Sequence, residues 1–270
     1  MTSMVPTENI IAIAVVLVVS VLLPIIGWLI VKRRTGAKFA NVLVGAVTFF
    51  ICYVIAVITS LLGSMFIASP IILTLVLSLR AGLVEEFGRF VAFKWIMKRH
   101  NALGDALMYG VGHGGMEVLL VLTLVMINNL VFAIMANTGA LENMNTLVPG
   151  QVETIIESVK VLAQTHPLLF AAGLFERIVA MTLHIALSVI VFCAVRQKRL
   201  VYLLLAIALH TLVNSCIVLY VLGMVGVWGL EVVLAGAVVA VVFIARQIAR
   251  AYRPPAELAE TSPTSTDIAV

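Results

Sequence analysis

Seven apolar runs follow one another along this chain, at residues 9–31, 39–63, 70–97, 105–136, 167–195, 200–222 and 226–247. Each is long enough to cross hydrocarbon as a helix, which takes about 20 predominantly apolar residues. Inside a bilayer every backbone N–H and C=O must be satisfied within the protein, so such runs fold as helices. The expected fold is therefore all-α, a polytopic membrane helix bundle with about seven transmembrane helices. Composition agrees: 63% of the 270 residues are hydrophobic and 11% charged, with a mean hydropathy of +1.18. A soluble domain of this length does not look like that. The net charge of +4 is no sign of a nucleic-acid partner, and none is expected. In a membrane protein the placement of basic residues matters more than their sum.

That placement alternates. Lys32, Arg33, Arg34 and Lys38 follow the first run, and Lys94, Lys98 and Arg99 close the third. Arg196, Lys198 and Arg199 follow the fifth; Arg246, Arg250 and Arg253 close the seventh. Of the 17 basic residues only Arg80, Arg89, Lys160 and Arg177 lie elsewhere. The positive-inside rule then puts the N-terminus outside and the C-terminus in the cytoplasm. The first run is too long for a signal-peptide core and its basic residues follow it, so it reads as a retained span. Short loops and no targeting signal suggest a multi-pass protein of a prokaryotic plasma membrane, in contact with lipids.

Residues 1–250 read as one transmembrane domain. Within it, 151–165 form an amphipathic helix on the outer side, with Val152, Ile155, Ile156, Val159 and Leu162 opposite Glu153, Glu157 and Lys160. Residues 251–270, rich in Pro, Ser, Thr and Glu, read as a disordered cytoplasmic tail. Cys52, Cys193 and Cys216 lie in apolar runs without ligand spacing and read as small buried hydrophobes.

Ionisable residues inside the runs carry the functional signal, because they are costly in hydrocarbon. Measured from the basic end of its own run, each of Glu85, Glu86, His113, His184 and His210 lies at a similar depth. At the rise of a helix this is ~12–18 Å. Glu117 and Asn214 stand four residues after His113 and His210, on the same helix faces. Arg89 follows Glu85 by four residues and Glu86 by three, within reach of either. One glutamate held by Arg89 and the other free to move protons would divide the labour; spacing does not say which is which. The glycines of Gly110–Gly115 admit two readings, room for substrate or close helix packing.

These residues resemble the YhfC family of predicted intramembrane proteases, related to the type II CAAX prenyl proteases, the PrsW proteases and the anterior-pharynx-defective subunit of γ-secretase. The CAAX pattern is Glu-Glu with a following Arg, two Phe-x-x-x-His motifs and His-x-x-x-Asn. Glu85-Glu86 with Arg89 resembles the first, with the Arg one residue closer. Tyr109-x-x-x-His113 and Ala180-x-x-x-His184 resemble the second and third, with Tyr and Ala in place of Phe. His210-x-x-x-Asn214 matches the fourth, and the likeness covers about residues 80–215.

The resemblance implies an intramembrane endopeptidase that hydrolyses a peptide bond of a membrane-protein or lipidated-peptide substrate. In it Glu85, Glu86, His113, His184, His210 and Asn214 would be catalytic, supported by Arg89 and Glu117. A glutamate would activate water while His184, or His210 with Asn214, stabilises the oxyanion. In the alternative form His113, His184 and His210 bind Zn²⁺, which acidifies the water. Either form needs a water-filled cavity, expected to face the cytoplasm. Two other functions fit the same residues: a noncatalytic membrane scaffold related to such proteases, and a proton- or cation-coupled transporter.

Overall fold

The computed structural model describes residues 4–141 and 152–253, and among them every regular element is a helix. Helix α1 is Thr7–Thr35, α2 Ala40–Phe66 and α3 Pro70–Val91, the last extended by a π turn, Ala92–Ile96. Helix α4, Leu103–Glu117, runs through a second π turn, Val118–Thr123, into α5, Leu124–Asn137. Then come α6 (Val152–Gln164), α7 (Pro167–Arg196), α8 (Leu200–Ser215), the short α9 (Ile217–Val221) and α10 (Val227–Arg250). Local chemistry explains several boundaries. Ser69 Oγ accepts from Ile72 N at the start of α3, and Pro70 and Pro167 occupy first-turn positions where no N–H is missed. Gly36, with φ of +67°, ends α1 in the left-handed conformation.

The result is an all-α polytopic membrane bundle. Six helical stretches are long and apolar enough to cross a membrane: Thr7–Thr35, Ala40–Phe66, Leu103–Asn137, Pro167–Arg196, Leu200–Val221 and Val227–Arg250. The run at 70–97, expected as a seventh, folds as α3 but does not qualify by composition. It carries Arg80, Glu85, Glu86 and Arg89. Those charges turn inward, with Glu86 and Arg89 buried, while Leu75, Leu79, Leu83 and Phe87 lie exposed on its other face. Apolar side chains exposed on all the long helices make the outer wall of the bundle a hydrocarbon-facing surface.

Helix α7 is the axis. Its most apolar stretch is 72% buried, against 17–28% for the other spans, and α4, α8 and α10 pack around it. Helix α4 also packs on α2, and α3 on α8 and α2. The glycine-rich run makes this closeness possible. A Cβ at Gly110 would lie 2.6 Å from Ile185 Cα, and one at Gly114 2.9 Å from Met181 Cα, both on α7. One at Gly112 would lie 2.0 Å from Val42 O on α2. Of the two readings of these glycines, the structure shows close packing.

The two ends of the bundle are closed differently. At the basic end the Arg196 guanidinium donates to the carbonyls of His100 (2.8 Å), Phe93 (3.1 Å) and Met97 (2.6 Å). It caps carbonyls where the α3 segment ends, sharing Met97 O with the His100 N–H. Tyr252, buried just past α10, donates to Asn101 O at 2.8 Å; of the tail expected to be disordered, residues 254–270 lie outside the described residues. At the other end Asn9 Nδ2 donates to Leu162 O (2.6 Å) and Thr165 O (2.9 Å), tying α6 to α1. Val159 and Leu162 of α6 join a buried cluster with Ile13, Val16, Met126 and Ala133 of α1 and α5. The amphipathic helix thus packs on that side of the bundle.

Candidate active site

Helices α3, α4, α7 and α8 bring their buried polar residues to one place. Glu86 and Arg89, one turn apart on α3, form an ion pair with both side chains fully enclosed. The same carboxylate receives His210 Nδ1 of α8 at 2.7 Å. Glu85, on a different face of α3, is 14% exposed, and His113 Nε2 of α4 donates to its Oε2 at 3.2 Å. Arg89 Nη2 reaches His184 Nδ1 of α7 at 3.0 Å, and His184 Nε2 lies 2.7 Å from Glu117 Oε2. Glu117 Oε1 in turn accepts from Arg177 at 2.5 Å, and Arg177 also pairs with Glu176. The rings of His113 and His184 are 4.8 Å apart, those of His184 and His210 5.3 Å.

Both π turns begin within four residues of this cluster, the first after Arg89 and the second at the residue following Glu117. Such turns gather at functional sites because the extra residue re-aims side chains.

The contacts fix which ring nitrogens carry protons. A guanidinium only donates, so His184 Nδ1 accepts and its proton sits on Nε2, facing Glu117. A carboxylate only accepts, so His210 donates from Nδ1 to Glu86 and keeps the Nε2 lone pair. By the same logic His113 donates from Nε2 to Glu85, leaving its buried Nδ1 without a partner.

A cleft of about 70 Å³ runs through the cluster, lined by Glu85, Glu117, Glu176, Arg177, His184, His210 and Asn214, with Leu234 and Val238 of α10 closing it. A cavity on the basic side was expected. The cleft extends instead toward the N-terminal ends of α7 and α10 and the end of α8. The basic end is filled by Phe93, Met97, Tyr109 and Phe192, packed as one core.

Among the described residues, the group able to hold a metal ion is Glu85 with His184 and His210, whose donor atoms lie within 4.8 Å of one another. The sequence pointed to His113, His184 and His210; His113 stands beside this group, bonded to Glu85. The donor set fits an ion. Each of the two histidines has a carboxylate at the nitrogen it would not use, Glu117 on His184 and Glu86 on His210. Such partners orient metal-bound imidazoles. Arg89 now sits against the His184 Nδ1 lone pair that an ion would take.

The other expected site residues are placed as follows. Glu85, Glu86, His113, His184, His210 and Arg89 meet directly, Asn214 lines the cleft, and Glu117 touches His184. Arg80 lies apart and donates to Ala56 O, Thr59 and Ser60 of α2. One residue is placed differently and one has no sequence signal. Arg177, which the sequence groups with Glu176 and Arg80 as a structural charge cluster, belongs with Glu117 beside His184, from which it stands two turns away on one helix face. Glu231 of α10 is 3% exposed with Oε2 unpartnered, three and seven residues before the cleft-lining Leu234 and Val238. A lone Glu near the start of an apolar run gave no pattern to find it by.

Over 235 residues the chain is 34% identical to a Bacillus subtilis (strain 168) protein named "Uncharacterized membrane protein YhfC", covering 82% of this chain and 89% of the relative. The model of the YhfC intramembrane metalloprotease family matches residues 19–238, from the middle of α1 into α10 and across every residue of the cluster. A multi-pass membrane protein with a buried Glu/His group inside its bundle, this chain belongs to the YhfC intramembrane metalloprotease family.

Proposed function

We propose that the chain is an intramembrane endopeptidase of a bacterial plasma membrane, hydrolysing a peptide bond of a membrane-protein or lipidated-peptide substrate at the Glu85 cleft. One observation carries this reading: a carboxylate oxygen of the partly accessible Glu85 and one ring nitrogen each of His184 and His210 lie within 4.8 Å of one another beside a polar cleft.

The two adjacent glutamates differ in what surrounds them. Glu86 is enclosed and committed to Arg89 and His210, which makes it an orienting group. Glu85 reaches the cleft and, in the metal-free form, is the group that takes a proton from the attacking water, with His113 Nε2–H fixing the carboxylate. Asn214, one turn from His210 on the cleft wall, is placed to donate to a developing oxyanion. In the metal form Glu85 would instead be a ligand, holding a zinc ion with His184 and His210. Bound there, zinc supplies a Lewis acid that polarises the peptide carbonyl and acidifies water. The alternating basic loops favour an N-terminus outside and a cytoplasmic C-terminus, with α3 crossing as a seventh span.

Terminal-peptide profiling of membrane proteins tests this, comparing cells that express the wild type or Glu85→Gln at matched levels. New termini made by the wild type and absent with Glu85→Gln are expected. Termini that persist in Glu85→Gln and vanish in Glu86→Gln would move the base to Glu86. No wild-type-dependent termini in the native host would favour a noncatalytic scaffold.

A further inference from the structure

Arg177 and Glu117 belong to no step of the hydrolysis, yet both are largely buried, with 12% and 14% of their side chains exposed. Glu117 bridges two residues of one α7 face: Oε1 accepts from Arg177 at 2.5 Å, and Oε2 lies 2.7 Å from His184 Nε2. The approach of α4 to α7 at Gly110 and Gly114 brings this carboxylate within reach; a Cβ at Gly114 would lie 3.3 Å from His184 Cβ. On the other side of the ring Arg89 donates to Nδ1 at 3.0 Å. His184 is thus set between a guanidinium that donates to Nδ1 and a carboxylate oxygen close to Nε2 but not aligned with it as a hydrogen bond; the bond at Nδ1 and the charge at Nε2 select the same tautomer.

We infer that Glu117, clamped by Arg177, is a positioning residue that keeps the proton of His184 on Nε2 and so presents Nδ1 to the reaction centre. The geometry at Nδ1 agrees, since this nitrogen lies 3.9 Å from Glu85 Oε2, on the side where the Glu85, His184 and His210 donor atoms converge. With the proton on the other nitrogen, His184 would turn an N–H toward Arg89 and lose its lone pair from the cleft. The arrangement is the carboxylate–histidine pairing that sets ligand orientation in metal centres, here with an arginine fixing the carboxylate. Its catalytic purpose rests on the peptidase reading above; the tautomer does not.

The test uses the full-length chain, labelled with ¹⁵N-histidine, in lipid nanodiscs. Solid-state NMR reads the two ring nitrogens, and His184→Gln assigns the His184 signals. Protonated Nε2 and unprotonated Nδ1 are expected in the wild type. In Glu117→Leu the signals should move to a mixture of tautomers, while Glu117→Gln, whose amide oxygen can still accept, keeps most of the wild-type pattern. Co²⁺ titration should show about a 10–100-fold loss of affinity in Glu117→Leu and less in Glu117→Gln. A wild-type His184 protonated at Nδ1 overturns the inference, and this measurement needs no variant of Glu117 to fold. An unchanged tautomer in a folded Glu117→Leu overturns it as well. The expected tautomers together with no new termini in cells would refute the peptidase and leave the positioning role standing.

Discussion

Replacing Arg89 by Met gives the sharpest test of how the cluster is held together. Its guanidinium contacts both Glu86 oxygens and His184 Nδ1, and neither Arg89 nor Glu86 has any exposed side chain. Met preserves much of the apolar stem and removes the charge, leaving the Glu86 carboxylate enclosed with His210 as its remaining partner. Breaking a buried ion pair from one side costs about 3–5 kcal/mol, because the surviving charge is uncompensated. The lost hydrogen bond to His184 adds about 1 kcal/mol. Arg89→Met should therefore lose about 4–6 kcal/mol by these two contributions. Removing the orphaned charge as well, in Glu86→Gln/Arg89→Met, should recover about 2 kcal/mol or more, since neutral replacement of both partners escapes most of the penalty. Reversible unfolding by SDS titration in mixed micelles, run as a double-mutant cycle, measures both quantities. A loss below about 1 kcal/mol for Arg89→Met, or a double variant no more stable than that single one, would refute the claim that charge compensation at Glu86 dominates.

Four further outcomes follow from other parts of the fold. Gly112→Ala drives a methyl to 2.0 Å from Val42 O and should cost about 1–3 kcal/mol in the same titration; Gly236→Ala, with nothing within 4 Å, should be neutral or gain up to about 1 kcal/mol. Arg196→Met removes three hydrogen bonds from the carbonyls of Phe93, Met97 and His100 and should speed tryptic cleavage at Lys98 and Arg99 relative to wild type. Zinc content of the purified protein, read by mass spectrometry, should fall in His210→Gln and hold in His113→Gln, because His113 lies outside the donor group; equal loss in both would place His113 among the ligands. Glu231→Gln, which neutralises a buried carboxylate with an unpartnered oxygen, should leave the unfolding midpoint unchanged or raised; a clear fall would show a hydrogen bond or ion held there by the charge.

Much of the site was legible because a helix has a fixed rise. Counting residues from the basic ends set Glu85, Glu86, His113, His184 and His210 at one depth, and the structure brings those residues together. Their pairing across helices was not legible, because sequence gives the depth of a side chain but not the rotation of its helix against a neighbour. Hence Glu85 rather than His113 joins His184 and His210, and hence Arg177 reads from sequence as part of a structural charge cluster with Glu176 and Arg80 rather than as the partner of Glu117. The number of spans shows the opposite limit. Residues 70–97 were read as spanning by length, and α3 stays apolar on average; what sets it apart from the other spans is the number of its charges, Arg80, Glu85, Glu86 and Arg89, of which Glu86 and Arg89 are fully enclosed. The direction of the cleft depended on which end of the bundle its aromatic and thioether side chains fill, and no local pattern reports that.

The π turn at Val118–Thr123 gives the long helix Leu103–Asn137 two phases instead of one. Its first half is keyed to α2 and α7, with His113 and Glu117 facing the cluster, and its second half to α1 and α6 through Met126 and Ala133. Each residue of a helix turns the chain by roughly 100°, so the added residue acts as a phase shifter between two otherwise incompatible faces. A single deletion in that turn could restore an unbroken α-helical ladder and keep both ends of the span in place. It would nonetheless rotate one half out of register with its neighbours. The dimension under constraint here is therefore an angle, and the stretch of chain that sets it contains no residue of the site.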